Sequence, residues 1–544
     1  MHKPTPPDGG GAAPAVGRPF KPRGRVARGV MALLLLLLLV AGGLLALRLT
    51  HPLPIRDGLA ASMAIPASTD TRLGSAVIPM IERHPGLSGV APLADGRDAL
   101  AMRVLLARAA ERSLDVQYYI WQTDTTGWLL LDEVRAAADR GVRVRLLLDD
   151  NGIPGLDEVL AALHAHPGIE VRIFNPFTLR RPKLLSYGFD FPRLNRRMHN
   201  KSMTADGVAT ILGGRNIGDI YFAYGSGVAY FDLDVLGVGP IARDVSTDFD
   251  GYWSSASSYP ADLILPPATT GTEALARAAE TARQSVLGSE YLAAIAAAPL
   301  LQSLMAGEDI LEWTDAVLVS DDPAKGLGRA TQQNLLIGKL ADLVTEVEQQ
   351  IDVVSAYLIP GRTGSALFRD LAAEGRQVRL VTNSLEATDV PIVHAAWMNY
   401  RERLVREGVQ VQELRAQPGQ GQGDVDFSLA RILTGSSSSL HAKTFAIDGT
   451  RIFIGSFNLD PRSAALNTEM GVLVASPSIA ESLGRALDDP RLFYEVGATP
   501  EGRIEWRETG PAGEQIVHRQ EPNASLGRRL FVWVGSWLPV EWML

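Results

Sequence analysis

His199-Asn200-Lys201-Ser202-Met203-Thr204-Ala205-Asp206 and His441-Ala442-Lys443-Thr444-Phe445-Ala446-Ile447-Asp448 are two octapeptides, 242 positions apart, that share their first, third and eighth residues. The match continues downstream. Gly213-Gly214-Arg215-Asn216 follows the first and Gly455-Ser456-Phe457-Asn458 the second. Each histidine is therefore trailed by lysine at +2, aspartate at +7, glycine at +14 and asparagine at +17. An acid closes each set: Asp232 in Phe231-Asp232-Leu233-Asp234, and Glu469 in Asn467-Thr468-Glu469. A single histidine in an apolar strand is ordinarily a satisfied core residue, but two matched sets in one chain point to duplication with a shared chemistry.

The flanking sequence repeats as well. Residues 98–110 carry Leu100, Val104 and Leu105 at helical spacing, and residues 114–121 read as an apolar strand. A second helix, 128–139, stops at Gly141, where a C-cap glycine belongs, and a doubly buried strand follows at 142–148. The later half repeats this order: helix 335–347, strand 353–359, helix 366–373 stopped by Gly375, strand 378–381. Alternating helices and apolar strands predict an α/β layered unit with a mixed sheet, present twice. The alanine-rich residues 272–305 read as a helical connection between them.

On a strand, residues two apart share a face, so imidazole and ammonium of each H-x-K project together. The strands 211–213 and 452–455 end in turns that bring an asparagine amide beside them. Ammonium charge and amide N–H donors suit the non-bridging oxygens of a phosphodiester. Two such sets face to face place imidazoles on opposite sides of one phosphorus, as an in-line displacement requires.

On these motifs the chain resembles the phospholipase D superfamily, whose HxKxxxxD signature is intact at His199/Lys201/Asp206 and His441/Lys443/Asp448. It is closest to the C-type bacterial cardiolipin synthases, through Leu194 to Lys201 (LNRRMHNK), Gly213 to Asp219 (GGRNIGD), Thr382 to Pro391 (TNSLEATDVP) and Gly455 to Ser463 (GSFNLDPRS). The resemblance spans about residues 90–490. It implies two phospholipase D-like α/β/α units packed as a pseudo-twofold dimer within one chain. It implies a phosphatidyltransferase that makes cardiolipin from phosphatidylglycerol and a second phospholipid, phosphatidylethanolamine among the candidates, through a phosphohistidine. It also implies that His199 attacks and His441 transfers the proton, because the near-twin motifs do not order themselves. Lys201, Lys443, Asn216 and Asn458 would hold the phosphoryl oxygens, and Asp232 and Glu469 would orient the imidazoles. Register favours Asp232 over Asp234, because Asp232-Leu233-Asp234-Val235-Leu236 aligns with Glu469-Met470-Gly471-Val472-Leu473. The signature aspartates Asp206 and Asp448 belong to the catalytic set by motif, with a role in stabilising the fold around it. No metal and no cofactor are expected.

Composition narrows the partners. The chain has 544 residues and no cysteine, which excludes disulfides, thiolate zinc sites and cysteine nucleophiles. Residues 30–47 carry no charge and include an unbroken leucine run, long enough to cross a bilayer. Lys3, Arg18, Lys21, Arg23, Arg25 and Arg28 precede it against the single acid Asp8, so the bias of positive charge puts the N-terminus in the cytoplasm. A cleaved signal segment is the rival reading. The expected location is the bacterial inner membrane, with one N-terminal transmembrane helix and the body on the periplasmic side. Residues 1–48 hold seven of the 52 basic and one of the 61 acidic residues, leaving a body of formal charge −15. Such a body repels polyphosphate, so no nucleic-acid partner is expected, and a phosphodiester nuclease ranks below a phospholipid hydrolase as the alternative. A non-catalytic scaffold would not need both full motif sets. Either half supplies one half-site, so no oligomer is required.

The expected division is a basic tail at 1–29, the anchor at 30–48, a linker at 49–90, a first half at 91–265, a helical connection at 266–330, a second half at 331–500 and an extension at 501–544. Two segments point to lipid. Arg180, Arg181, Lys183, Arg193, Arg196 and Arg197 are interleaved with Phe177, Tyr187, Phe189 and Phe191, which suits anionic head groups, or else a loop whose arginines pair with local acids. Residues 530–544 carry Phe531, Trp533, Trp537 and Trp542, which suit an interfacial segment or one docked on the core. Tyr119 and Tyr357 match in position and read as sheet packing, and His394 is a weaker head-group candidate.

Overall fold

The parallel strands of each half's sheet are short apolar runs delivered between helices. The computed structural model describes residues 1–2, 23–56, 61–222, 229–306, 308, 310–416, 438–510 and 512–544; residues 3–22 of the basic tail lie outside them. In the first half, Ser113–Ile120, Arg143–Gly152 and Ile169–Phe174 run parallel. The antiparallel strands Ser202–Ala205, Ala209–Gly213, Asp234–Val238 and Ser88–Leu93 extend this sheet on one side. The second half repeats the plan. Gln350–Ser355, Gln377–Asn383 and Gln410–Leu414 run parallel, and Lys443–Ile447, Arg451–Gly455, Met470–Val474 and Ala316–Ser320 extend them antiparallel. The strand Val353–Ile359 of the sequence reading thus lies earlier, at Gln350–Ser355, because Tyr357 to Pro360 leave the sheet to pair with Leu459 and enter the next helix.

The helices Gly96–Ala109 and Thr125–Asp139 are started by Asp95 and Asp124, whose carboxylates accept the first backbone N–H groups. The second one stops at Gly141, where φ is +94°, a left-handed turn that glycine alone enters without strain. Residues 272–305 form the helices Glu273–Gln284, Val286–Ala297 and Pro299–Met305, which cover this layer through Leu275, Ala282, Tyr291, Ile295 and Leu304. After Met305, Glu312–Thr314 closes the edge of the first sheet, and Ala316–Ser320 opens the second.

The two halves share a core. Leu212, Val235, Ile241 and Val245 of the first cluster with Ile452, Ile454, Met470 and Val472 of the second. Burying these faces against each other is what removes the otherwise exposed side of both antiparallel sheet wings. The N-terminal helix Arg23–Thr50 touches the body near its C-terminal end, at Leu44 beside Gly188; its segment Ala27–Thr50 is largely exposed and apolar enough to cross a membrane.

Candidate active site

The seam between the halves is where the two histidines meet. Neither H-x-K lies within a strand: Ser202 opens the strand after Lys201, and Lys443 opens the other. The backbone ahead of each histidine pairs across the seam instead. Met198 makes a parallel bridge with Thr468, and Ser438–Leu440 pairs in parallel with Ala229–Phe231, Leu440 opposite Phe231. In both places the residue before a histidine lies opposite the residue before the other half's acid. One step further along each strand, histidine and acid must meet. His199 Nδ1 is 2.8 Å from Glu469 Oε2, and His441 Nδ1 bonds Asp232 Oδ2. The acids are exchanged between the halves.

A second matched device holds these segments in place. Asp149 Oδ2 accepts the Met198 N–H at 2.8 Å, and Asn383 Oδ1 accepts the Leu440 N–H at 2.8 Å. Both clamps sit at the same strand of their half. Asp149 also carries the buried Arg197, at 2.7 Å, while the Asn383 amide donates to Leu440 O at 2.9 Å. The sequence reading assigned neither role. The signal was available: each clamp stands eight residues after the left-handed glycine, Gly141 or Gly375, that ends the preceding helix.

Around the imidazoles the two lysines are fully enclosed. Lys201 Nζ donates to His199 O at 2.5 Å, and Lys443 Nζ lies 2.7 Å from His441 Nδ1 and 4.0 Å from Asp232. Asn216 accepts the Ile120 N–H through Oδ1 at 3.1 Å, so its NH2 is the end left to donate. Asn458 is buried between Phe457 and Leu459. Edge-on tyrosine rings line each histidine, Tyr119 at 5.0 Å from His199 and Tyr221 at 5.3 Å from His441. Tyr221, unlike Tyr119, was not singled out in the sequence, because nothing in the first half's motif is matched by it in the second. Tyr357 instead bonds Asp389 at 2.9 Å.

The acid supports differ. A Cβ on Gly214 would sit inside the Asp232 carboxylate, so glycine there admits the short acid against the backbone. The counterpart of Gly214 is Ser456, whose hydroxyl donates to Glu469 Oε2 at 2.5 Å. Asp234 lies away from the histidines and pairs with Arg103 at 2.8 Å and Arg215 at 3.3 Å. Asp206 and Asp448 are not brought to the pocket. Each sits in a left-handed turn at the far end of the strand that follows its lysine. Asp206 accepts the N–H groups of Arg112 and Ser113 at 2.8 and 3.0 Å, and Asp448 those of Gln349 and Gln350 at 2.8 and 2.9 Å. These aspartates tie the hairpin to the neighbouring parallel strand.

Burial sets the protonation states. It drives His199 well below the ordinary imidazole value, with Lys201 and Lys443 adding to the effect. His441 is lowered by burial and by Lys443, with Asp232 opposing. Lys443 is pushed down to about 8 by burial. Glu469 is pushed up to about 7 by burial. Burial also works against ionising Asp232, yet Lys443 and His441 overcome it and hold that carboxyl below its usual range. The site is thus a buried cluster with one ionised acid, one acid poised near neutrality, two lysines that burial pushes down (Lys201 well below its ordinary value) and two imidazoles that meet the carboxylates through Nδ1.

The basic loop before His199 is largely neutralised internally. Arg180 pairs with Asp150 and Asp157, Lys183 with Asp150 at 2.9 Å, and Arg193 with Asp190 at 2.6 Å. His394 lies 3.5 Å from Glu521 in a buried cluster where Arg401 bonds both Glu521 and Glu413.

The comparisons follow the same halves. A family model described as cardiolipin synthase, PLD-like domain, matches residues 104–253 and again residues 340–489. Cardiolipin synthase C of Escherichia coli (strain K12) is 44% identical over 476 residues, which is 87% of this chain and 100% of that protein. Cardiolipin synthase B of the same strain is 26% identical over 67% of this chain and 71% of its own length. Among solved structures, the phosphatidylserine synthase of Haemophilus influenzae Rd KW20 aligns with a TM-score of 0.49 at 14% identity, over 76% of this chain and 89% of that one.

Proposed function

The chain belongs to the phospholipase D-like cardiolipin synthase family, and from that premise we propose that it forms cardiolipin by moving a phosphatidyl group onto the hydroxyl of phosphatidylglycerol. It is a phosphatidyltransferase that acts on phospholipids. One observation carries the mechanism: each imidazole is held by the other half's acid, and the two rings lie close enough that His441 and Lys443 both act on His199.

In the first step His199 Nε2 attacks the phosphorus of the donor lipid. A P–N bond forms, the P–O bond to the head-group alcohol breaks, and His441 Nε2–H gives that alcohol its proton. In the second step His441 takes the proton of the incoming phosphatidylglycerol hydroxyl, whose oxygen displaces His199 and restores both imidazoles. Phosphatidylglycerol as donor releases glycerol, and phosphatidylethanolamine releases ethanolamine. Water in the second step would give phosphatidic acid. The protonation pattern supports this order of roles. The nucleophile must be neutral, and burial holds His199 well below the ordinary imidazole value. The acid needs an ionised partner to stabilise its imidazolium, and Asp232 is the carboxyl held ionised. Lys201, Lys443, Asn216 and Asn458 then hold the equatorial oxygens, where charge builds as the bonds change.

We place the protein in the inner membrane on its single apolar N-terminal helix, with the catalytic body periplasmic, because the basic residues precede that helix. The test is purified full-length protein in vesicles of labelled phosphatidylglycerol, with and without phosphatidylethanolamine, followed by product identification. Labelled cardiolipin with release of glycerol or ethanolamine is expected. Phosphatidic acid as the sole product would overturn the transferase reading.

A further inference from the structure

The helix Leu526–Gly535 has an apolar stripe turned outward. Its docked side is small: Val532 is buried, and Gly535 approaches helix Pro391–Arg406 so closely that a Cβ would stand 2.9 Å from Ile392 Cδ1. The opposite stripe, Leu526, Leu530, Trp533 and Trp537, follows helical spacing and is exposed, Leu526 by 81% and Trp537 by 74%. A surface helix of a water-soluble body puts such a stripe against the core. A continuous exposed one marks an interaction surface.

Two other segments reach the same place. Trp542 meets Phe191 at 6.4 Å, and Phe191 belongs to the first-half segment in which Leu184 is 79% exposed. That segment also touches the anchor, for a Cβ on Gly188 would stand 2.8 Å from Leu44 Cδ2. Leu44 precedes the end of the helix Arg23–Thr50 by six residues, roughly 9 Å of rise. Whatever touches Leu44 is therefore level with the edge of the bilayer that the anchor crosses. Continuity with the anchor selects the occupant: the outward stripe faces lipid.

The same surface rims the catalytic pocket. Tyr187 bonds Asn151 at 3.1 Å, Asn151 bonds Tyr119 at 3.2 Å, and Tyr119 lies against His199. On the other side Arg462 donates its backbone N–H to Leu544 O at 2.7 Å and its guanidinium to Asn195 Oδ1 at 2.6 Å. The C-terminus thus bridges the two halves four positions after Asn458 and four before His199.

We propose that the helix Leu526–Gly535 with Trp537 and Trp542, together with the Leu184 to Phe191 segment, forms a bilayer-docking surface that lies in the membrane interface and holds the catalytic mouth against the lipid. Tryptophan is the side chain suited to that depth, with an apolar body and one N–H donor. The proposal goes beyond the assigned reaction, and its first test does not depend on it.

The chain has no cysteine, so single spin labels report one position each without background. Leu530→Cys and Trp537→Cys, each in the full chain reconstituted in phosphatidylglycerol and phosphatidylethanolamine vesicles, are compared with Arg485→Cys, a control on an exposed side chain. Collision with oxygen should exceed collision with a water-soluble nickel chelate at 530 and 537, and the order should reverse at 485. Nickel accessibility at both 530 and 537 would overturn the proposal. Shielding of both from both reagents would also overturn it, since a second protein copy, not lipid, would then cover the stripe. In the double variant Trp533→Ser/Trp537→Ser, KM for lipid in bilayers should rise several-fold while kcat on a monomeric short-chain phospholipid stays unchanged. An unchanged bilayer KM would count against a role in substrate capture.

Discussion

Because the acids are exchanged between halves, Asp232→Asn and Glu469→Gln should damage different roles in the first step, each through the histidine of the opposite half. Asp232 is fully buried and holds His441, the assigned proton donor. Replacing its charge by an amide leaves a buried imidazole whose cation has lost its partner. Breaking a buried pair of this kind costs about 3–5 kcal/mol, which at about 1.4 kcal/mol per decade is a loss of roughly 10²- to 10⁴-fold in rate. Glu469→Gln replaces the carboxylate 2.8 Å from His199 by a neutral amide, which no longer fixes the ring's tautomer against either oxygen, and should cost the same order through misorientation of the nucleophile. The leaving group separates them. A phosphatidyl ester of p-nitrophenol needs no proton to depart, so Asp232→Asn should recover most of its first-step rate on that substrate. Glu469→Gln should not recover. Rapid-quench measurement of the p-nitrophenol burst reads this step alone. Recovery in Glu469→Gln with none in Asp232→Asn would reverse the roles of the two histidines. Recovery in both would mean that neither acid supports the nucleophile.

Three further outcomes follow from single contacts. Gly214→Ala places a methyl group where the Asp232 carboxylate stands, so its activity should fall to the level of Asp232→Asn with the same rescue by p-nitrophenol; full activity would show that the carboxylate moves aside freely. Asp206→Ala leaves the Arg112 and Ser113 N–H groups without their acceptor and should cost about 2–3 kcal/mol of stability, read as a lower denaturant midpoint, while the folded fraction keeps its kcat. Asp460, buried and pushed up to about 7, caps a helix through the Ser463 N–H at 2.6 Å. Its folded value lies above its unfolded one, so ionisation costs the native state stability as pH rises from about 4 to about 7. Asp460→Asn keeps the cap and removes that cost, so its midpoint relative to the parent should climb over this window, by at most about 4 kcal/mol, and level off above it; a pH-independent difference would refute the shift.

Much of the architecture was legible because it depends on local periodicity. The helices beginning at Gly96 and Thr125 and the parallel strands behind them follow from apolar spacing and from glycines at helix ends, and these signals recur in both halves. The motif residues were legible because duplication printed them twice. What local pattern does not encode is pairing across the seam. The H-x-K segments have strand-like alternation, yet the residues just ahead of each histidine pair with the opposite half, and only the strand that follows joins its own sheet. Alternation reports which side chains share a face, and it does not report which chain segment supplies the hydrogen-bond partner. The basic loop shows the same limit. Its arginines are visible in sequence, but Asp149, Asp150 and Asp157, which neutralise three of its cations, sit earlier in the chain on two other elements, the strand Arg143–Gly152 and the helix Asp157–His164. The outward stripe of the C-terminal helix was ambiguous for a further reason: amphipathicity fixes that one face is apolar, and only packing decides which face meets the core.

The exchange of acids explains why the duplication resides in one polypeptide with unequal halves. Were each histidine held by its own half's acid, a half could carry an oriented imidazole by itself, and the seam would only bring two finished sites together. With the acids crossed, neither half alone contains a complete histidine–carboxylate pair. Docking and site assembly become one event, coupled through the shared core of Leu212 and Val235 with Ile454 and Val472. The crossing also lets the two pairs diverge. A glycine at 214 and a short aspartate give one imidazole an ionised partner; a serine at 456 and a longer glutamate give the other a partner poised near neutrality. A symmetric dimer of identical halves would be held to one compromise at both positions. A single chain with two independent copies can tune one histidine to give a proton and the other to attack, which is the division of labour that an in-line transfer between two alcohols requires.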